Sequence, residues 1–199
     1  MYILKLHDIA NVRTGLILTR KRARDTFEVR QEYPLLSLHN IHEDGFFTDE
    51  PFDRYLSKEI LDEQYLTQRG DIVLRLNAPY TAVYIEEEQK GIVFPNYFVA
   101  ISIDNQSVLP EFVTWYLNTS YVKRKYVKGQ TGTLVPNINR SIILNLSVPD
   151  VPLQKQENIA KLHALHLEEQ RLYQKLLNEK RTYYRGITEQ LIRNIMEEK

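Results

Sequence analysis

Hydrophobic positions follow two regimes along this chain. Toward the C-terminus, Leu162, Leu165, Leu172, Leu176, Tyr183, Ile187, Leu191 and Ile195 recur at steps of three, four or seven. That is the spacing of one apolar stripe on an α-helix. No Pro follows Pro152, and Gly186 is the one Gly beyond it. Val151-Pro152 supplies a start signal, because Pro has no N–H to lose in a first turn and its φ is already helical. The stripe predicts one helix of about 44 residues, roughly 65 Å long at 1.5 Å per residue. A compact domain built from residues 1–150 would be only about 30–35 Å across. Much of the helix is therefore expected to lie beyond its own domain, with its Leu, Ile and Tyr stripe in need of a partner.

Before Asp150 the pattern shortens. Met1 to about Ile17 mixes a helical turn (LHDIAN) with an extended VRTGLIL run, and TRKRAR after it has no hydrophobic period, which suits a loop or strand end. Leu35–Leu38 reads as a short strand, and Phe46–Gln68 as loop plus a short helix near Ser57–Glu63. Gly70–Leu76, Thr81–Glu87, GIVF and YFVAISI follow in close succession. These β-rich segments predict a curled antiparallel sheet or small barrel. Leu109-Pro110 then opens a helix, PEFVTWYLNTSYVKRKYVK, and SIILNLSVP reads as a last strand feeding the long helix. The expected fold class is α+β (mixed α/β): a curled β-rich domain over residues 1–150, followed by one long C-terminal coiled-coil helix over residues 151–199.

Composition narrows the function. The 199 residues are 43% hydrophobic and 26% charged, within the globular range. Lys and Arg number 26, as do Asp and Glu, so no global charge draws the chain to a polyanion. Such a surface must come from local clustering. The absence of Cys excludes disulfides and thiolate metal sites and fits a reducing compartment. Lys5, His7 and Asp8 interrupt the apolar residues of MYILKLHDIA, unlike a signal peptide. No apolar run reaches membrane-spanning length. A cytoplasmic location with no membrane partner is expected.

Catalytic signals are weak. Asn77-Ala78-Pro79-Tyr80 after the DIVLRL strand is similar to the Asn-Pro-Pro-Tyr tetrad of amino-methyltransferases, whose aromatic ring stacks on a flipped base. The second position is Ala, however, and the seven Gly residues form no cofactor-holding cluster. A β-turn centred on Pro79 is the plainer reading. His39 and His42, and His163 and His166, lack the spacing and partners of a zinc site. Phosphate-cradling and nucleophile-elbow motifs are missing. The chain is thus expected to be non-catalytic, with no cofactor and no metal.

A binding constellation remains. Basic or hydrogen-bonding residues gather at Arg13 with Arg20, Lys21, Arg22 and Arg24; at Arg75, Asn77 and Tyr80; and at Lys125, Lys128, Gln130, Thr131 and Asn139. Lys and Arg neutralise phosphates, whereas Asn, Gln, Thr and Arg can read base edges. Taken singly, each cluster is an ordinary solvated face. Their joint occurrence in a chain of zero net charge points to nucleic acid.

The order of segments resembles the target recognition domains of type I restriction-modification specificity subunits. The likeness runs through LHDIANVRTG, LLSLHNI, QRGDIVLRLNAPYTAVYIEE, GIVFPNYFVAISID, LPEFVTWYLN and GQTGTLVPNINRSIILNLSVPDVPLQKQENIAKLHAL. The family usually carries Pro-Pro-Leu-x-x-Gln before its long helix, and VPDVPLQKQ splits those prolines. The resemblance implies sequence-specific binding of double-stranded DNA, with catalysis left to methyltransferase and restriction subunits. It also implies a half-length subunit with one recognition domain and one helix, homodimerising to read two inverted half-sites. The alternatives are a protein-interaction adaptor with no DNA binding and, from the tetrad, a stand-alone amino-methyltransferase.

Overall fold

The computed structural model describes residues 3–129 and 137–197. In chain order its elements are β1 (Ile3–Lys5), α1 (Leu6–Ile9), β2 (Ala10–Thr14), α2 (Leu18–Lys21), β3 (Gln31–Leu35), β4 (Asp53–Ser57), β5 (Asp71–Arg75), β6 (Ala82–Tyr84), β7 (Phe98–Ile103), α3 (Pro110–Asn118), α4 (Ser120–Gly129), α5 (Arg140–Leu144), β8 (Ser147–Pro149) and α6 (Leu153–Glu197). Two compact units result, Met1–His163 and Ala164–Lys199. The first is mixed α and β, and the second is helical, in line with the expected fold class.

The first unit is built on an antiparallel sheet in the order β2-β7-β5-β6. Alternation explains why its central strands read as nearly unbroken apolar runs: both faces are covered. Ile72, Leu74, Val99 and Ile101 face a core shared with Phe112, Val113 and Leu117 of α3. Val73, Phe98 and Ala100 face the opposite way, onto Leu36, Val83, Ile85, Ile92 and Phe94. A third apolar cluster, Leu16, Leu35, Tyr55, Leu61 and Val93, lies beneath the ribbon β3-β4. β1 pairs with β8, Leu4 opposite Val148, and so ties the first strand to the segment before α6.

Several local expectations change. The sheet is four-stranded and accompanied by two separate ribbons. The expected helix near Ser57–Glu63 is instead the end of β4 and a 3₁₀ turn at Glu63–Tyr65 capped by Asp62. The strand placed at Leu35–Leu38 stops at Leu35, because buried Asn40 accepts from Ser37 N–H and donates to the carbonyls of Glu50 and Pro51. GIVF contributes only isolated bridges through Val93. TRKRAR begins in the helical turn α2. The helix after Pro110 breaks at Thr119, whose hydroxyl donates to the Tyr116 carbonyl at 2.7 Å. Within SIILNLSVP only Ser147–Pro149 is strand; the earlier residues form α5, where Asn139 caps the Ile142 N–H.

α6 starts just past Pro152 and runs for 45 residues. Its first turns are held by Gln156, which is 1% exposed. The Gln156 Oε1 accepts from Leu109 N–H at 2.9 Å, and its Nε2 donates to the carbonyls of Ser107 and Val151, each at 2.8 Å. Every polar group of this side chain is thereby satisfied inside the core.

Candidate nucleic-acid interface

Strand register places the exits of β2 and β5, from which the first two sequence clusters follow in the chain, at one end of the sheet. Thr14 lies opposite Val99, Arg75 opposite Phe98, and Leu74 opposite Ala82. The exits of β2 and β5 therefore share an edge with the starts of β7 and β6. β2 leaves toward α2 and the cations Arg20–Arg24; β5 leaves through Arg75 and Asn77. Asn77 also bridges to Asn137, and Ile138 N–H donates to the Leu76 carbonyl at 2.9 Å, which brings the segment before Asn139 beside the exit of β5. Gly15 makes the first exit possible: a Cβ there would lie 2.1 Å from the Pro95 carbonyl oxygen, so only Gly lets β2 leave this close to the start of β7.

Within the first cluster the cations play different parts. Arg22 and Arg24, with Lys58, line an open groove of about 640 Å³. The Arg22 guanidinium also lies 5.8 Å from the Tyr55 ring centroid. Arg20 and Arg24 are exposed. Lys21 is held by Glu59 at 2.5 Å, and this hydrogen bond raises its pKa above the ordinary lysine value. Arg13 is a correction. Its guanidinium pairs with buried Asp71 and donates to the carbonyls of Glu63, Gln64 and Leu66. Asp71 also accepts from Ser102 and from Gln68 N–H. Arg13 is a structural clamp between β2, β5 and the 63–66 turn, its guanidinium taken up by these partners.

At the exit of β5, Arg75 is half-buried, and desolvation draws its pKa below the ordinary arginine value. It nonetheless stays charged at neutral pH. Its Nε donates to Asn77 Oδ1 at 2.5 Å, and it makes no ion pair among the described residues. A partly dehydrated cation beside Tyr97 and a neutral amide, with no ion pair among the described residues, is set for an anion from outside. Tyr80 is the second correction. It is 3% exposed, has φ +56°, and packs against Tyr126 with ring centroids 5.6 Å apart. A ring enclosed in the core can neither contact duplex DNA nor stack on a flipped base, which removes the residue role behind the methyltransferase reading.

The third cluster is partly described. Gln130 and Thr131 lie outside the described residues. Lys128 is exposed, and Lys125 Nζ sits 4.5 Å from the Tyr121 ring centroid. Asn139 is exposed, but its Oδ1 accepts from Ile142 N–H at 3.0 Å, leaving the amide donor as its one open group. Sequence reasoning passed over Lys58, Asn96 and Tyr97. The last two follow Pro95 at the same sheet end, and FPNYF carries the turn signal Pro-Asn that marks it. Among the described residues, no group of three His, Cys, Asp or Glu could hold a metal ion.

On α6 the expected stripe is exposed throughout, from Leu162 and Leu165 through Leu172, Leu176, Tyr183, Ile187 and Leu191 to Ile195. The sequence reading missed a second row: Tyr173, Leu177, Tyr184, Ile192 and Met196, each one position after a stripe residue and also exposed. At 100° per residue the two rows make one broad apolar face.

Comparison with known proteins bears on what this arrangement serves. Residues 2–179 match the family model described as type I restriction modification DNA specificity domain. The chain belongs to that family. Its fold is also similar to solved members of such systems. A structure on complex assembly and conformational transition of the type I R-M system is 15% identical, with TM-score 0.58, covering 86% of this chain and 39% of that one. The HsdS subunit from Thermoanaerobacter tengcongensis is 15% identical, with TM-score 0.56, covering 86% and 38%. The type I S subunit from M. genitalium is 11% identical, with TM-score 0.52, covering 84% and 39%. No curated protein matches the sequence. This member of the specificity family spans about two fifths of the length of those solved chains.

Proposed function

We propose that this chain is a non-catalytic, DNA-reading half-subunit of a type I restriction-modification system. Residues 1–150 act as the recognition domain, and residues 151–199 act as the dimerisation and spacer helix. The observation that carries the reading is Arg75: a half-buried guanidinium without an ion pair among the described residues, at the exit of β5 beside Asn77. Arg20, Arg22, Arg24, Lys58, Lys125 and Lys128 hold phosphates, while Arg75 and the amide donors of Asn77 and Asn139 meet base edges. Two copies pair through the exposed face of α6 and present identical domains to inverted half-sites. Methyltransferase and restriction subunits, docked by the paired helices, supply the chemistry.

Gel shifts of the full chain on a pool of random duplexes at low salt test the reading. Retention of duplex, followed by sequencing of the bound fraction, is expected to return an inverted repeat. A chain that retains no duplex at low salt, yet still co-purifies with a partner protein, would be an adaptor instead.

A further inference from the structure

Phe27 is 97% exposed, more than any other large hydrophobic among the described residues. Its backbone is held in a capped turn. Phe27 lies within a 3₁₀ turn at Thr26–Glu28, where Asp25 Oδ1 accepts from Phe27 N–H at 2.9 Å and from Glu28 N–H at 3.1 Å. Glu28 in turn accepts from Arg24 N–H at 2.8 Å, which ties the turn to the basic segment before it. A side chain so exposed contributes almost nothing to the fold through burial. Glu28, next to it in the turn, lines a groove together with Thr19, Arg22, Ala23, Arg24 and Lys58.

The surroundings say what the ring could meet. Arg22, Arg24 and Lys58 make no ion pair among the described residues, and exposed Arg30 follows two residues after Glu28. The complementary partner has a negative periphery and an apolar, layered interior, which is the build of a base stack between two phosphate strands. We infer that Phe27 is a wedge that inserts between adjacent base pairs of duplex DNA while Arg22, Arg24 and Lys58 hold the flanking phosphates. The inference rests on the reading of this surface as a DNA face and adds a second means of discrimination to it. Insertion unstacks one step, and pyrimidine–purine steps unstack most readily, so Phe27 favours targets carrying such a step where no side chain touches a base edge.

The test uses the full chain and two short mixed-sequence duplexes, identical except that one carries a central abasic site and is already unstacked there. Fluorescence anisotropy at low salt should show the wild-type chain binding the opened duplex roughly tenfold more tightly, because the unstacking cost is removed. Phe27→Ala should bind both duplexes alike and keep the wild-type unfolding midpoint, since it removes an exposed ring. Arg22→Ala should weaken both complexes and keep the preference. Equal affinities for the wild type, or a Phe27→Ala chain that retains the preference, would overturn the wedge while leaving the DNA reading intact. A wild-type chain that binds neither duplex would defeat the DNA reading itself.

Discussion

Arg13 and Arg75 are both arginines near the ends of sheet strands, yet their surroundings give them opposite duties. Arg13 is matched by Asp71 and by three carbonyls; Arg75 is matched by one neutral amide. Removing one partner of a buried ion pair leaves the other charge uncompensated, at a cost of about 3–5 kcal/mol. Arg13→Ala is therefore expected to lower the urea midpoint strongly, with the molecules that remain folded still binding DNA. Arg75→Ala should leave the midpoint nearly unchanged and weaken binding, and Asn77→Ala should relax discrimination between sequences in a selection from random duplexes. Gly15→Ala drives a methyl group into the Pro95 carbonyl, an overpacking of about 1–3 kcal/mol readable by the same unfolding titration. None of these contrasts is visible in sequence, where Arg13 and Arg75 carry the same charge and Asp71, 58 positions from Arg13, declares no partner.

Elements with a sustained period were the legible ones. α6 could be placed to within a residue or two of its start because its apolar spacing persists over many turns and Pro152 marks the beginning. Central strands were legible for a related reason, since burial on both faces makes DIVLRL and YFVAISI nearly unbroken apolar runs. Short elements were not. α5 has one turn and a half of Ile- and Leu-rich sequence that passes for strand, and what decides its state is the Asn139 cap rather than any period. That β2 and β5 exit at the same end of the sheet was also hidden, because it follows from register between strands far apart in sequence. For the helix, Leu172→Glu with Leu176→Glu should convert the proposed dimer to monomers by light scattering. A dimer that survives both changes would remove α6 as the dimer interface.

At the scale of the whole chain, zero net charge leaves room for local clustering. Cations leave the sheet where β2 and β5 end, whereas Glu86, Glu87, Glu88 and Asp104 follow the opposite ends of β6 and β7. A chain arranged this way can bind a polyanion through one end without a basic composition. Dependence of affinity on salt tests this claim most directly, because each phosphate neutralised releases counterions and steepens the slope of log K against log salt by about 0.9. On a mixed-sequence duplex the wild-type chain should show a steep negative slope, and Arg22→Ala should bind more weakly with a slope shallower by about one contact. A flat slope for the wild type, or an Arg22→Ala slope equal to it, would contradict the account.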